Sequence, residues 1–361
     1  MRLLILTQKV DMNDDLLGFF HDWLREFALA FTEVTVICLG EGKYKLPGNL
    51  KVFSLGKEKG GRGIIKKISY AYNFYKYIFS ERKNYDAVFV HMNQEYVLMG
   101  GLLWKIWKKK IGLWYVHKKV SRKLKLAEKL SDYIFTASAE SFNLASNKVF
   151  VTGHGINTER FSTVRAEKKP TGVFKIIYVG RISPIKNQKL LIEAVNYLVN
   201  EKEEKGLRVL FIGSPVYLED SAYFNQLKEM VRRDKLEGCV DFIGSIPYRE
   251  MPKYLANADL AANLCPTGGM DKAVLEAMAS GVTAVALNKT FFPVFGRYAD
   301  LLVLNSLSKG ELAEKILLIK RMAPGEQIVL AEFLKNTVAG KFSLKNLIMK
   351  IAKHYEGNRK I

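Results

Sequence analysis

Short β-rich runs alternate with helical stretches from one end of this chain to the other, and that alternation limits the possible folds more than any other feature. In the first half the strand candidates are Leu3 to Leu6, Val34 to Cys38, Val52 to Leu55, Ala87 to Val90, Ile111 to Val116, Tyr133 to Thr136 and Val149 to Val151. Between them lie helical stretches near Leu16 to Phe31, Ile64 to Phe79, Tyr96 to Lys109 and Ser121 to Leu130. Strands that are each followed by a helix build a parallel, doubly wound sheet, so the expected class is α/β.

The alternation breaks once, at Ala166-Glu167-Lys168-Lys169-Pro170-Thr171-Gly172, a polar stretch without periodicity, and restarts at Phe174-Lys175-Ile176-Ile177-Tyr178-Val179-Gly180. With 361 residues the chain exceeds one ordinary core, and a typical domain of roughly 150 residues gives two. The expected division is an N-terminal domain over 1–166, a linker over 167–172, a second domain over 173–340 and a C-terminal helix over 341–361 that could return to the first domain. Further strands are expected near Arg208 to Ile212, Val240 to Phe242, Leu260 to Asn263, Thr283 to Ala286 and Leu301 to Val303, with helix through most of Lys309 to Tyr355.

Hydrophobic residues form 48% of the chain and charged ones 25%, the balance of a globular protein rather than a disordered one. The opening apolar run Leu3-Leu4-Ile5-Leu6 falls short of a signal-peptide core, and no run approaches the roughly 18 apolar residues of a membrane span, so a cytoplasmic location is expected. Cys38, Cys239 and Cys265 lie in or beside apolar runs with no Cys-x-x-Cys pair, and read as buried thiols.

Ligands of open α/β sheets bind beyond the carboxyl ends of strands, where loops enter helices. The junction Val179-Gly180-Arg181-Ile182-Ser183-Pro184-Ile185-Lys186-Asn187-Gln188 carries two cations before a helix, a pattern suited to a pyrophosphate or simply to two solvated loop charges. A second junction reads Cys265-Pro266-Thr267-Gly268-Gly269-Met270-Asp271-Lys272-Ala273-Val274-Leu275-Glu276-Ala277-Met278-Ala279-Ser280-Gly281. Its glycines allow close backbone approach, and Glu276, among apolar helix residues, needs a ligand hydroxyl or a cation unless it only offsets the helix dipole.

Together these segments resemble the large retaining glycosyltransferase family 4. Gly153-His154-Gly155-Ile156-Asn157-Thr158-Glu159-Arg160-Phe161 is similar to the segment closing that family's N-terminal domain, with Asn157 where Asp is usual, and Leu17-Gly18-Phe19 resembles its first glycine loop. The resemblance implies the GT-B fold: two doubly wound Rossmann-like domains facing a central cleft, the first binding acceptor and the second a nucleotide-sugar donor. It implies that Arg181 and Lys186 bind the donor diphosphate, that Glu276 bonds the ribose, and that Gly18 lets the first loop pack near the diphosphate although Phe19 replaces a second glycine.

The family's first glutamate corresponds to Gly268, and Asp271 either supplies the missing carboxylate to the sugar or caps the helix that begins at Lys272. His117 follows Ile111 to Val116 where the family carries its catalytic histidine; His91, after Val88-Phe89-Val90, is its rival. No carboxylate stands where a covalent nucleophile is expected, so the resemblance implies retention by front-face attack. No Asp-x-Asp occurs, and neither a metal nor a cofactor is expected beyond the donor substrate.

Charge adds a separate constraint. The formal net charge is +20, and between Lys43 and Lys129 there are 21 Lys and Arg against 5 Asp and Glu. Ile64, Ile68, Ala71, Tyr75 and Ile78 read as a core stripe, leaving Tyr70, Tyr72, Tyr77, Trp104 and Trp107 beside lysines. Aromatics with lysines favour a lipid headgroup boundary, so Lys66, Lys67, Trp104, Trp107, Lys108, Lys109 and Lys110 are expected to contact an anionic membrane, the alternative being a solvated basic face. No nucleic-acid module is recognisable and no such partner is expected. The function expected is transfer of a hexose-type sugar to a lipid-linked or cell-envelope glycan acceptor, at the inner face of the cytoplasmic membrane. The alternative is a catalytically silent GT-B fold that binds membrane or nucleic acid; an epimerase or phosphorylase of similar architecture is a third reading.

Overall fold

The computed structural model describes residues 1–61, 63–162 and 172–356. The expected linker, through residue 171, lies outside them. The chain divides into two compact units, one of Met1–Gly155, Pro247–Arg249 and Leu344–Ile361, the other of Ile156–Ile246 and Glu250–Ser343.

In the first unit the elements run β1 (Arg2–Val10), α1 (Phe19–Ala30), β2 (Glu33–Glu41), β3 (Leu50–Ser54), α2 (Ile64–Ser80), β4 (Ala87–His91), α3 (Gln94–Ile106), β5 (Lys110–Trp114), α4 (Arg122–Leu130), β6 (Tyr133–Thr136) and β7 (Val149–Val151). The seven strands form one sheet in the order β3-β2-β1-β4-β5-β6-β7, with every pair parallel.

Strand β1 shows why. Leu3, Leu4, Ile5 and Leu6 are all fully buried, because a central parallel strand is covered on both faces. Leu3 and Ile5 join a cluster with Phe20, Trp23, Leu24 and Phe27 of α1, while Leu4 and Leu6 point to the other face, toward Phe74 and Ile78 of α2 and Trp104 of α3. In α1 the buried Phe20, Trp23, Leu24, Phe27 and Ala28 recur at helical spacing.

The second unit runs α5 (Thr158–Ser162), β8 (Phe174–Val179), α6 (Gln188–Asn196), β9 (Leu207–Ile212), α7 (Leu218–Arg233), β10 (Val240–Gly244), α8 (Met251–Ala256), β11 (Leu260–Asn263), α9 (Lys272–Ala279), β12 (Thr283–Ala286), α10 (Phe292–Phe295), α11 (Ala299–Leu302), α12 (Lys309–Arg321) and α13 (Pro324–Lys341). Its five strands are parallel, in the order β10-β9-β8-β11-β12. This unit starts ahead of the linker, since Ile156 N donates to Phe342 O at 2.8 Å.

The last helix, α14 (Leu344–Glu356), belongs to the first unit. Its Leu347, Ile348, Ile351 and Tyr355 enter the α1 side of that core, and the Tyr355 hydroxyl donates to Val88 O at 2.7 Å. Gly112 of β5 makes room: a Cβ there would lie 2.1 Å from the Tyr355 hydroxyl.

Two expectations about local structure fail. Leu301 to Val303 is not a strand; α11 covers Leu301, and Val303 makes one bridge to Ala286. The apolar residues of α2 do not all face inward. Phe74 and Ile78 are buried, but Ile64 and Ile68, expected in the core stripe, are exposed. Period-3.6 spacing fits two faces of this helix, and only packing against the sheet decides which one turns inward.

Candidate functional site

In an open α/β sheet the order of strands reverses at one place, and loops leaving the sheet there diverge to leave a crevice. In the second unit that place lies between β8 and β11. The loop that leaves β8 carries Arg181 and Lys186; the loop that leaves β11 ends on Asp271, and Glu276 follows on α9.

The β8 loop is held as an extension of its strand. Gly180 N donates to Ile212 O at 3.0 Å and Ile182 N to Ser214 O at 3.1 Å. Gly213, with φ +134°, makes this possible, since a Cβ there would sit 2.1 Å from Gly180 O. The chain then turns through Pro184–Lys186 and ends on Asn187 in the left-handed conformation (φ 57°, ψ 39°), which asparagine tolerates better than most residues. That turn leads directly into α6.

Lys186 forms an ion pair with Asp271 across the switch point. The same Asp271 oxygen accepts from Asn263 Nδ2 at 2.9 Å, and its other oxygen accepts from Ala273 N at 3.3 Å, capping α9. Burial by itself would raise the Asp271 pKa, but the Lys186 charge and these hydrogen bonds hold it below the usual carboxylate range. For Lys186, burial works against the charge and Asp271 overrides it, so its pKa lies above the ordinary lysine value, with Arg181 acting the other way. The capping role of Asp271 is therefore realised, and its carboxylate is already engaged by three partners.

Tyr178 fastens the two loops together. Its buried hydroxyl donates to Lys186 O and accepts from Leu264 N at 3.2 Å. Burial raises its pKa well above the ordinary value, which keeps the phenol protonated and able to donate. Asn263, at the end of β11, holds the second loop through Asp271. Neither Tyr178 nor Asn263 has a sequence signal beyond its position at a strand end.

Arg181 is half-buried, with its guanidinium 5.4 Å from the centre of the Tyr217 ring, a cation–π distance. Glu276 is buried on α9. Lys272, one helical turn before it, has its pKa pulled down by burial against the opposing pull of Glu276 and Asp271. Gly268 has φ +124°, with the carbonyls of Gly268 and Gly269 both 3.3 Å from Asn288 Nδ2. A glutamate at 268 would have space but a strained backbone.

In the first unit, Gly18 precedes α1 at the end of the loop that leaves β1, and a Cβ there would lie 2.3 Å from Asp14 O. Asp14 organises this loop. Its carboxylate accepts from Leu16 N at 3.0 Å and Leu17 N at 2.7 Å and pairs with Lys9 at 2.6 Å. His117 lies just beyond β5, which ends at Trp114 rather than Val116. Its ring is solvent-accessible and edge-on to Tyr115, with centroids 5.6 Å apart, while the protein around it lowers its pKa. His91, the rival, is buried, stacked on Phe20 with centroids 4.1 Å apart and 3.3 Å from the Thr7 hydroxyl.

The basic region differs from expectation at two residues. Trp104 is fully buried, donating to the Tyr85 hydroxyl at 3.2 Å, so its ring is unavailable to a surface. Lys109 is bound to Tyr85 O and lies over the Tyr85 ring. Trp107 is half-buried against Phe79, with centroids 5.2 Å apart; Lys67, Lys108 and Lys110 are exposed and Lys66 is partly so. No helix among the described residues is long and apolar enough to cross a membrane.

Comparison with known proteins agrees with this architecture. Residues 159–326 match the family model described as glycosyl transferases group 1. The human GDP-Man:Man(3)GlcNAc(2)-PP-Dol alpha-1,2-mannosyltransferase is 30% identical over 125 residues, 34% of this chain and 25% of that protein. A GDP-mannose-dependent alpha-(1-6)-phosphatidylinositol monomannoside mannosyltransferase of Mycobacterium tuberculosis is 26% identical over 241 residues, 59% of each chain. The chain thus spans a quarter of the human relative's length and 59% of the mycobacterial one's. Among solved structures, Anabaena HepE with UDP and glucose aligns with a TM-score of 0.76 at 17% identity, over 99% of this chain and 100% of that one. Sucrose-phosphate synthase of Thermosynechococcus elongatus gives 0.75 at 15% identity, over 99% and 98%. The chain therefore has the GT-B fold, two Rossmann-like units, and its residues 159–326 match the glycosyl transferases group 1 family.

Proposed function

We propose that this chain is a retaining hexosyltransferase of glycosyltransferase family 4, using a nucleoside-diphosphate sugar and a lipid-linked or cell-envelope glycan acceptor at the cytoplasmic membrane. The observation that carries the reading is the pair of cations Arg181 and Lys186 at the switch point of the second unit, inside the segment that matches the family model. In this reading they hold the donor diphosphate, Glu276 bonds the ribose and Asp271 orients Lys186, while Gly18 and His117 keep the roles that the family resemblance implies. The acceptor oxygen bonds to the anomeric carbon as the bond to the diphosphate breaks, and the acceptor proton passes to the departing phosphate oxygen. Cations fixed around that oxygen stabilise the charge developing there.

The relatives named as mannosyltransferases make GDP-mannose the first donor to try, and the HepE structure with UDP-glucose makes that sugar nucleotide the second. A thermal-shift panel of nucleoside diphosphates and their sugars tests binding, since a ligand at about 100 times its Kd stabilises by roughly 2.7 kcal/mol. Release of nucleoside diphosphate with an acceptor extract tests transfer. The silent-fold reading is favoured by Gly268 standing where the family has glutamate; it predicts binding without release. No shift with any nucleotide overturns both the donor assignment and the function built on it.

A further inference from the structure

We infer that α2 and the end of α3 form a docking face for an anionic lipid bilayer, with apolar side chains that enter the headgroup boundary and lysines that flank them. This deepens the peripheral-membrane part of the proposed function but rests on the first unit's surface alone, not on donor chemistry.

Helix α2 is apolar on two sides. At 100° per residue, its buried Phe74 and Ile78 lie within about 40° of one another, and Ile64, Ile65, Ile68 and Tyr72 lie within about 100° on an adjoining side, centred about 115° away. Tyr75 and Phe79 continue this outer stripe. An apolar helix side in a globular unit is normally covered, yet Ile64, Ile65, Ile68 and Tyr72, together with Leu102 and Ile106 of α3, are between 62% and 79% exposed. The two helices are tied side by side, with the Tyr75 hydroxyl donating to Met99 O at 3.2 Å and Phe79 packed edge-on to Trp107. Their outer apolar residues thus belong to one surface.

Charge selects the occupant. Lys67 and Lys76 fall on either side of the outer stripe of α2 and Lys108 follows α3; all three are exposed, and none is paired with a carboxylate among the described residues. No Asp or Glu occurs from Ile64 to Ser80. A second copy of this chain would bring like charges together at the face, which opposes self-association. Anionic headgroups complement the lysines, and an amphipathic helix with basic flanks lies in the plane of such a surface. The lysines that the structure holds elsewhere are excluded, Lys109 to Tyr85 O and Lys105 to Asp132 at 2.8 Å, and Lys110, exposed but 3.8 Å from Asp132, is not counted.

The test is sedimentation of the full chain with vesicles of phosphatidylcholine alone or mixed with phosphatidylglycerol, at low and high salt. Wild type should bind the mixed vesicles and not the neutral ones. Lys67→Gln, Lys76→Gln and Lys108→Gln together should lower the partition coefficient roughly a hundredfold, about fivefold per lysine. Ile65→Gln, Ile68→Gln, Leu102→Gln and Ile106→Gln together should abolish the binding that remains at high salt, with the melting temperature of the exposed-site variant unchanged. Equal binding to both vesicles, binding to neither, or binding unaffected by either set of substitutions overturns the inference. So does a dimer that the apolar substitutions dissociate in the absence of vesicle binding. Because no readout uses catalysis, failure here leaves the transfer reading standing.

Discussion

Asp271→Asn tests the ion pair at the switch point of the second unit. Asparagine keeps a side-chain oxygen for the cap on Ala273 N, so what is removed is the charged oxygen that faces Lys186 and accepts from Asn263 Nδ2. The side chains of Lys186 and Asp271 are 20% and 24% exposed. Removing one partner of a fully buried pair costs about 3–5 kcal/mol, whereas an exposed pair contributes about 0–1 kcal/mol, so a value near 2 kcal/mol is expected here. For a unit of this size that lowers the melting temperature by about 4–8 °C. In a double-mutant cycle with Lys186→Met, the two costs should fall short of adding by about 1–2 kcal/mol.

The pH dependence has a defined sign. The folded pKa of Asp271 is lowered, so its contribution is present above the ordinary carboxylate value and lost as pH falls through the folded one. The folded pKa of Lys186 is raised, so its contribution is full below the ordinary lysine value and lost only as pH rises through the folded one. The stability gap between wild type and Asp271→Asn should be flat through neutral pH and close on the acid side. Removing the carboxylate also removes repulsion of a diphosphate, so nucleoside-diphosphate affinity should hold or rise while turnover of the sugar nucleotide falls. Urea unfolding at several pH values and nucleotide titration read both effects. Additive single-variant costs, together with a gap that persists below the carboxylate range, would refute the coupling.

His117→Ala should reduce transfer with nucleotide affinity nearly intact; because its surroundings lower the His117 pKa, wild-type activity should hold to slightly lower pH than an ordinary histidine allows, falling as the ring protonates. If His91→Ala shows that pattern without unfolding, the two histidines exchange roles. Glu276→Gln should weaken the nucleoside diphosphate as much as its sugar form, since ribose is the proposed partner; calorimetric titration with unchanged affinity removes Glu276 from the donor site. Gly112→Ala should destabilise the chain by about 1–3 kcal/mol, because the added methyl would fall 2.1 Å from the Tyr355 hydroxyl and 2.9 Å from the Phe135 ring. Denaturation within about 0.5 kcal/mol of wild type would mean that α14 does not hold β5 as the structure indicates.

The class of the fold is written locally. Strands such as Leu3 to Leu6 are apolar on both sides because they are buried on both, and the helices between them carry a stripe at 3.6 spacing, so α/β with parallel strands follows without coordinates. The junctions carrying Arg181, Lys186, Asp271 and Glu276 were also legible, since each follows a strand and enters a helix. Their neighbourhood was not. That Lys186 and Asp271 meet depends on β8 and β11 being adjacent at the switch point, and a strand order is set by long-range pairing that leaves no trace in local spacing. Tyr178 is silent in the sequence for the same reason: within its strand it is one more apolar residue, and only the fold puts its hydroxyl between two loops.

The outer face of α2 shows where local reading ends. Ile64 and Ile68 satisfy the same periodicity as Phe74 and Ile78, and the residues alone do not say which set meets the sheet. Trp104, grouped with surface lysines by its position in the chain, lies in the core because α3 turns it onto Tyr85 and Phe74. Sequence determined the elements, their order and the residue types at the strand ends, because those follow from short-range sterics and burial. Tertiary structure decided which faces are covered, which charges are paired and which lysines remain available, because those depend on residues that approach only after the chain has folded.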